Sequence, residues 1–278
     1  MYTTRVSAIT IVQTPELGSP QIGQLMRPTL TKESTNMSRK MLILLSAVIL
    51  LPAAARAQTV DEVVAKWVQA RGGMDKLKSI QTRRIALKFH AGSFEANIVE
   101  INKRPDKMRQ EFILQGMAQV EAYDGKSGWQ LNPFSGRREA ELLSEDDTKG
   151  LVEEADIDGP LVDYAQKGHK AELVGHDDVE GTDCYKIKLT LKNGDIRTIY
   201  LDTDSMMQIK QESQTYIRGA IREGETYYGD YEKVDGVYEP FAIESGQKGD
   251  PDRQKLTVEK VEFNVPVDDS IFAMPVKH

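Results

Sequence analysis

The sequence predicts a mainly β protein with a few helices, folded as one domain around an antiparallel meander of about 10–12 strands. Three observations predict it. From Thr82 onward apolar residues alternate with polar ones at a period of two. The turns between these runs are short and carry their own chemistry: Asp124-Gly125, Asn193-Gly194 and Asp235-Gly236. Such hairpin connections exclude the helical crossovers of a parallel sheet. Finally, no Pro/Gly/Ser-rich linker divides the chain and no strict repeat is visible.

In chain order, the first feature is the apolar run "MLILLSAVILLPAAA", Met41 to Ala55. At about 15 residues it is short for a membrane-spanning helix. Arg39 and Lys40 precede it and Ala55-Arg56-Ala57 follows. That is the layout of a secretion signal with a small-x-small cleavage site. Residues 37–57 are therefore expected to be a signal peptide that starts at Met37 and is cut before Gln58. Residues 1–36 are expected to be a non-structural extension, and residues 58–278 the folded domain. No cysteine follows the run, so a lipid-modified N-terminus is not expected. The product would be soluble and periplasmic.

"TVDEVVAKWVQARGG" opens the domain. Thr59 and Glu62 have capping-box spacing, Val63, Val64, Trp67 and Val68 share one helical face, and Gly72-Gly73 stops the helix. That face could be core packing or a cavity wall. "MDKLKSI" continues as a shorter helical segment. Strand-like runs follow at "RRIALKFHA", "FEANIVEIN", "KMRQEFILQ", "AQVEAYD" and "SGWQLN". The segment "LSEDDTKGLVEEADIDGPLVDYAQKG" then loses alternation. Ser144 and Asp147 cap a helix running to about Ala155, and Asp158-Gly159-Pro160 starts a second short one. Strands resume from about Lys170 to Asn264.

The chain carries 36 basic and 43 acidic residues; residues 1–57 hold 6 and 2 of them, leaving 30 and 41, a net charge of −11. Nucleic acid is a poor partner for such a surface, and an anionic membrane is disfavoured. Cys184 is the single cysteine, which excludes an intramolecular disulfide. It alternates with apolar positions as a small strand residue.

No motif supports an enzyme, a metal site or a cofactor. His90, His169, His176 and His278 form no H-E-x-x-H arrangement. Gly125-Lys126-Ser127 lacks the upstream glycine of a P-loop and the frame of a nucleophile elbow. "DIDG" at Asp156 to Gly159 would place Lys167 where a calcium loop needs glutamate.

Specific residues carry a resemblance. "NKRPDKMRQEF" and "AYDGKSGWQLNPF" resemble the LolA/LolB-like family of outer-membrane lipoprotein-sorting proteins through Lys103-Arg104-Pro105, Asp124-Gly125-Lys126, Trp129 and Asn132-Pro133-Phe134. The closing "VPVDDSIFAMP" is similar as well. Met108 stands where the sorting carrier has an aromatic residue. The resemblance implies an incomplete antiparallel barrel closed by the N-terminal and mid-chain helices around an apolar cavity for acyl chains. Candidate cavity residues are Trp67, Ile85, Leu87, Phe89, Phe112, Leu114, Trp129 and Phe134. Arg104 is implied as a latch, hydrogen-bonded to the lid helices. The implied partners are a lipoprotein or lipid ligand, an inner-membrane donor complex and an outer-membrane acceptor, with the carrier a monomer. A non-carrier binding or sensing module of the same fold stays open; an open apolar pocket would favour the carrier, a packed interior the module.

Overall fold

The computed structural model describes residues 58–92 and 94–276; the expected extension over 1–36 and signal peptide over 37–57 lie outside the described residues. Helices α1 (Val60–Arg71) and α2 (Met74–Ser79) come first, and α3 (Glu145–Glu154) lies mid-chain. The strands are β1 (Thr82–Ala91), β2 (Phe94–Lys103), β3 (Lys107–Leu114), β4 (Met117–Tyr123), β5 (Gly128–Leu131), β6 (Glu141–Leu142), β7 (Lys170–Val179), β8 (Thr182–Thr190), β9 (Ile196–Asp202), β10 (Gln208–Ile217), β11 (Ala220–Val234), β12 (Val237–Gln247) and β13 (Gln254–Phe263). They form one antiparallel sheet in the order β6-β5-β4-β3-β2-β1-β13-β12-β11-β10-β9-β8-β7. Among the described residues the 13 strands exceed the expected count, because two-residue β6 is too short to leave an alternation in the sequence.

Local chemistry explains the elements. At α1 both halves of the capping box form: the Thr59 hydroxyl accepts from the Glu62 N–H and the Glu62 carboxylate accepts from the Thr59 N–H. Gly72 ends the helix at φ +136°, and a Cβ there would lie 2.6 Å from the Gly236 carbonyl oxygen, so glycine is needed for both conformation and space. Ser144 caps α3 through the Asp147 N–H. In the β11–β12 turn Asp235 and Gly236 both adopt positive φ, as a two-residue hairpin requires. The expected second mid-chain helix does not form. Residues 157–168 run as turns instead, because the Asp158 side chain bonds Arg104 and Lys78 rather than capping a helix.

The sheet must be rolled. β4 and β9 lie eight strand steps apart in its order, roughly 38 Å if it were flat. Yet α3, a cylinder about 10 Å across, packs on β3, β4 and β5 and also accepts a bidentate ion pair from Arg197 on β9. α3 thus straps the two halves of the concave face. β6 and β7 remain edges, so the barrel is incomplete, as expected.

The concave face is divided. Its β8–β9 half is filled by α1, α2 and the segment after α3: Val63, Val64, Trp67, Val68, Leu77, Ile157, Leu161 and Val162 pack on Ile187, Leu189, Ile199 and Leu201. Fully burying each of these side chains contributes roughly 1.5–3 kcal/mol. The β1–β2–β13 half keeps open space. The C-terminal segment runs over the convex face: Thr82, Lys103, Arg109 and Trp129 donate to the carbonyls of Val265, Val267, Ile271 and Phe272.

One close approach fixes the strap. A Cβ at Gly128 on β5 would sit 2.6 Å from Thr148 Oγ1 on α3. Gly128→Ala should therefore push α3 off the sheet and destabilise the protein by about 1–3 kcal/mol. Thr148→Ala should recover part of that loss in a denaturant titration. Equal stability of Gly128→Ala and wild type would show that α3 is not seated there.

Candidate functional site

Arg104 sits in the β2–β3 turn with every bond of its guanidinium fork directed at the closing elements. Its Nε donates to the Ile80 carbonyl at 2.6 Å and Nη2 to the Leu77 carbonyl at 3.1 Å, both at the C-terminal end of α2. Nη1 and Nη2 donate to the two Asp158 oxygens at 2.9 and 2.5 Å. Lys78 adds a second cation to Asp158 at 2.6 Å. Asp158 is 3% exposed. Burial opposes its ionisation, but the hydrogen bonds from Arg104 and Lys78 outweigh that cost and hold the carboxyl at about 2. One arginine thus joins the sheet, the α2 terminus, where carbonyls carry partial negative charge, and the segment beyond α3.

Behind this junction lies a cavity of about 410 Å³. Trp67 and Arg71 of α1 line it, with the Arg71 guanidinium 5.3 Å from the Trp67 ring centre. The sheet contributes an apolar wall of Ile85, Leu87, Ile98, Ile243, Leu256, Val258 and Val261. Register carries the wall onward. Leu87 pairs with Ile98, which pairs with Phe112, and Phe89 lies two residues beyond Leu87 on the same face. There Phe89, Phe94, Phe112 and Phe134 gather, with ring centres 5.8–6.4 Å apart. From Ile85 to Phe89 this track runs roughly 13 Å. Phe94 and Phe134 are 38% and 39% exposed, so the aromatic end meets solvent. Leu114, half-buried, follows Phe112 on the same face of β3.

Trp129 is a correction. It pairs with Ala122, while the adjacent Gly128 and Gln130 face α3 and the strap side. The indole lies on the convex face with Val120, Ala122, Leu131 and Met274, 1% exposed, and its Nε1 donates to the Phe272 carbonyl at 2.7 Å. It anchors the C-terminal segment and does not line the cavity.

Beside the apolar residues the cavity also carries charged and polar ones. Arg71 pairs with Glu239 at 3.2 Å and Arg83 with Glu100 at 3.1 Å. Arg83 also donates to Asn102, whose amide donates to the Glu154 carbonyl and so ties the end of α3 to β2. Tyr228 lines the same space, its hydroxyl pushed up to about 12 by burial and by Glu153. Tyr231, raised further by burial, donates to the Gln208 carbonyl. The side-chain carboxyl of Glu154 makes no hydrogen bond or ion pair among the described residues. Burial, then the charges of Glu100, Glu121 and Glu153, push it up to about 8. Glu154 is nevertheless an exposed residue, so solvent screens much of this effect.

Sequence reading missed Asp158, Ile98 and Glu154. Asp158 reads as a helix start, and only the three-dimensional approach of Arg104 gives it a partner. Cys184, a thiol pushed up to about 11 by burial, is packed with Val179 and Tyr200 away from this site.

The Arg104–Asp158 junction has a pH signature. The folded-state value of Asp158 lies below its ordinary 3.8, so its ionised form contributes stability above about pH 4 that is lost as pH falls toward 2. Asp158→Asn should cost roughly 3 kcal/mol at pH 6. By pH 2.5 most of the difference from wild type should vanish in urea titrations; a constant difference would contradict the ion pair.

No family model matches the chain, and no curated protein matches it. Solved structures do. The LolA superfamily protein NE2245 from Nitrosomonas europaea is 13% identical with a TM-score of 0.52, covering 78% of this chain and 98% of its own. A putative outer membrane lipoprotein-sorting protein domain from Vibrio parahaemolyticus is 12% identical with a TM-score of 0.51, covering 76% and 94%. At such identity the likeness is one of fold: this chain has the LolA-like architecture, an open antiparallel sheet with helices on its concave face.

Proposed function

We propose that this protein is an exported, soluble lipid carrier of the bacterial envelope, which takes an acyl chain of a lipoprotein or other lipid into the cavity and passes it on toward the outer membrane. The observation that carries the reading is the unbroken apolar track from Ile85 and Leu87 to the exposed aromatic end at Phe94 and Phe134. Each methylene moved from water onto such a wall contributes about 0.8 kcal/mol, so affinity can come from the chain alone. The cavity lies near the small end of the range of about 300–1,000 Å³ for ligand pockets. One chain fits the closed state better than the several chains of a lipoprotein anchor, and larger ligands would require the strap to move.

Arg104 would set that equilibrium. Its charge-assisted bonds contribute roughly 1.5–3 kcal/mol each, and all of them close the junction between sheet, α2 and the segment after α3. Arg104→Leu should speed amide exchange at residues 77–80 and 155–162 and slow release of a bound fatty acid to acceptor vesicles. Unchanged exchange and unchanged transfer would remove Arg104 from the mechanism.

Trp67 is the natural reporter. In a Trp129→Phe background, its fluorescence should shift as a long-chain fatty acid saturates the protein, whereas Trp67→Phe should abolish the shift. No change at Trp67 under saturation would place the ligand elsewhere. Export is tested separately by N-terminal sequencing of the secreted protein: Gln58 is expected first, and a retained Met41–Ala55 run in the membrane fraction would contradict it.

A further inference from the structure

The cavity lining is partly apolar and partly charged. Its charged lining is almost fully paired: Arg71 with Glu239, Arg83 with Glu100, Glu153 with Arg197, Asp156 with Lys167, and Asp158 with Arg104 and Lys78. Glu154 is the exception among the described lining residues. Its main chain is fixed by Asn102, and its carboxyl is left without a partner. Arg83, whose charge acts on Glu154, is already committed to Glu100 and Asn102. Ile85, Leu87, Ile98 and Val258 line the same space.

Glu154 is an exposed residue of the cavity lining, and an apolar chain entering the cavity displaces part of the water that solvates it. A carboxylate stripped of water without a counter-ion is costly. A neutral or anionic head leaves that cost in place, and an anion adds repulsion from Glu100, Glu121, Glu153 and Glu154. A cation on the ligand removes it. We infer that the cavity prefers a cationic amphiphile, with its alkyl chain against Ile85, Leu87 and Ile98 and its ammonium head against Glu154. This inference rests on the lipid-binding reading above and narrows its ligand class.

Three probes with one chain length test it: dodecyltrimethylammonium, laurate and methyl laurate, titrated calorimetrically below micelle-forming concentrations. The ammonium probe should bind about tenfold or more tighter than laurate at pH 8. Its advantage should grow from pH 6 to pH 9, because the probe's charge is fixed while Glu154 ionises, amid Glu100, Glu121, Glu153, Arg83, Arg197 and Tyr228. Glu154→Gln should bring ammonium and laurate within about twofold, while Glu154→Asp, with its charge kept, should retain the preference. The acidic surface as a whole attracts cations equally in wild type and, within one charge, in Glu154→Gln, so the variant isolates the cavity. Equal or tighter binding of laurate or methyl laurate by wild type would overturn the inference and leave the lipid-binding reading standing, as would a preference that survives in Glu154→Gln. Failure of all three chains to bind would overturn both.

Discussion

The paired burial of Arg104 and Asp158 is the constraint on which the arrangement depends. Asp158 is nearly inaccessible, and such a carboxylate tolerates burial only with a cation held in good geometry. Arg104 meets that need bidentately and still reaches two carbonyls at the end of α2. Three parts of the chain distant in sequence therefore share one charge. Loss of Asp158 leaves Arg104 and Lys78 without their shared counter-ion, and loss of Arg104 leaves the buried carboxylate to Lys78 alone, so the closed arrangement is favoured without a large apolar contact at that point. That is how a junction can hold firmly and still be openable.

Packing and charge divide the concave face into a filled half and an open one. The β8–β9 half is filled by α1 and the segment after α3, which supplies the main core. The β1–β2–β13 half holds a second apolar cluster, and no helix among the described residues fills it. α3 bridges the halves through the Glu153–Arg197 ion pair, the Asn102 bond to the Glu154 carbonyl, and two bonds to the β10–β11 hairpin, in which Lys149 donates to the Tyr216 carbonyl and Arg218 donates to Asp147. Polar ties suit such a strap, since each exchanges for water on opening at modest cost.

Much of this was legible in the sequence, for reasons that differ by element. Capping chemistry is local, so Thr59 with Glu62 and Ser144 with Asp147 fixed the starts of α1 and α3. Alternation is local too, and it located β1 to β5. Which face of a strand meets the cavity is not local. Trp129 alternates as any half-buried aromatic would, and its placement follows from Gly128, the position on which Thr148 lands. The same limit hid Asp158: Asp-Gly-Pro reads as a helix start until a distant arginine claims the carboxylate. Glu154 left no trace at all, because its isolation is a property of the assembled cavity.

The central claim is that the closed junction encloses a space an alkyl chain occupies. Native mass spectrometry of the protein purified from its own cellular compartment without detergent measures this most directly. The account predicts a bound species one long-chain lipid heavier than the polypeptide, lost on replacing Leu87 with Glu. A polypeptide free of lipid, both as purified and after incubation with envelope lipid extract, would contradict it.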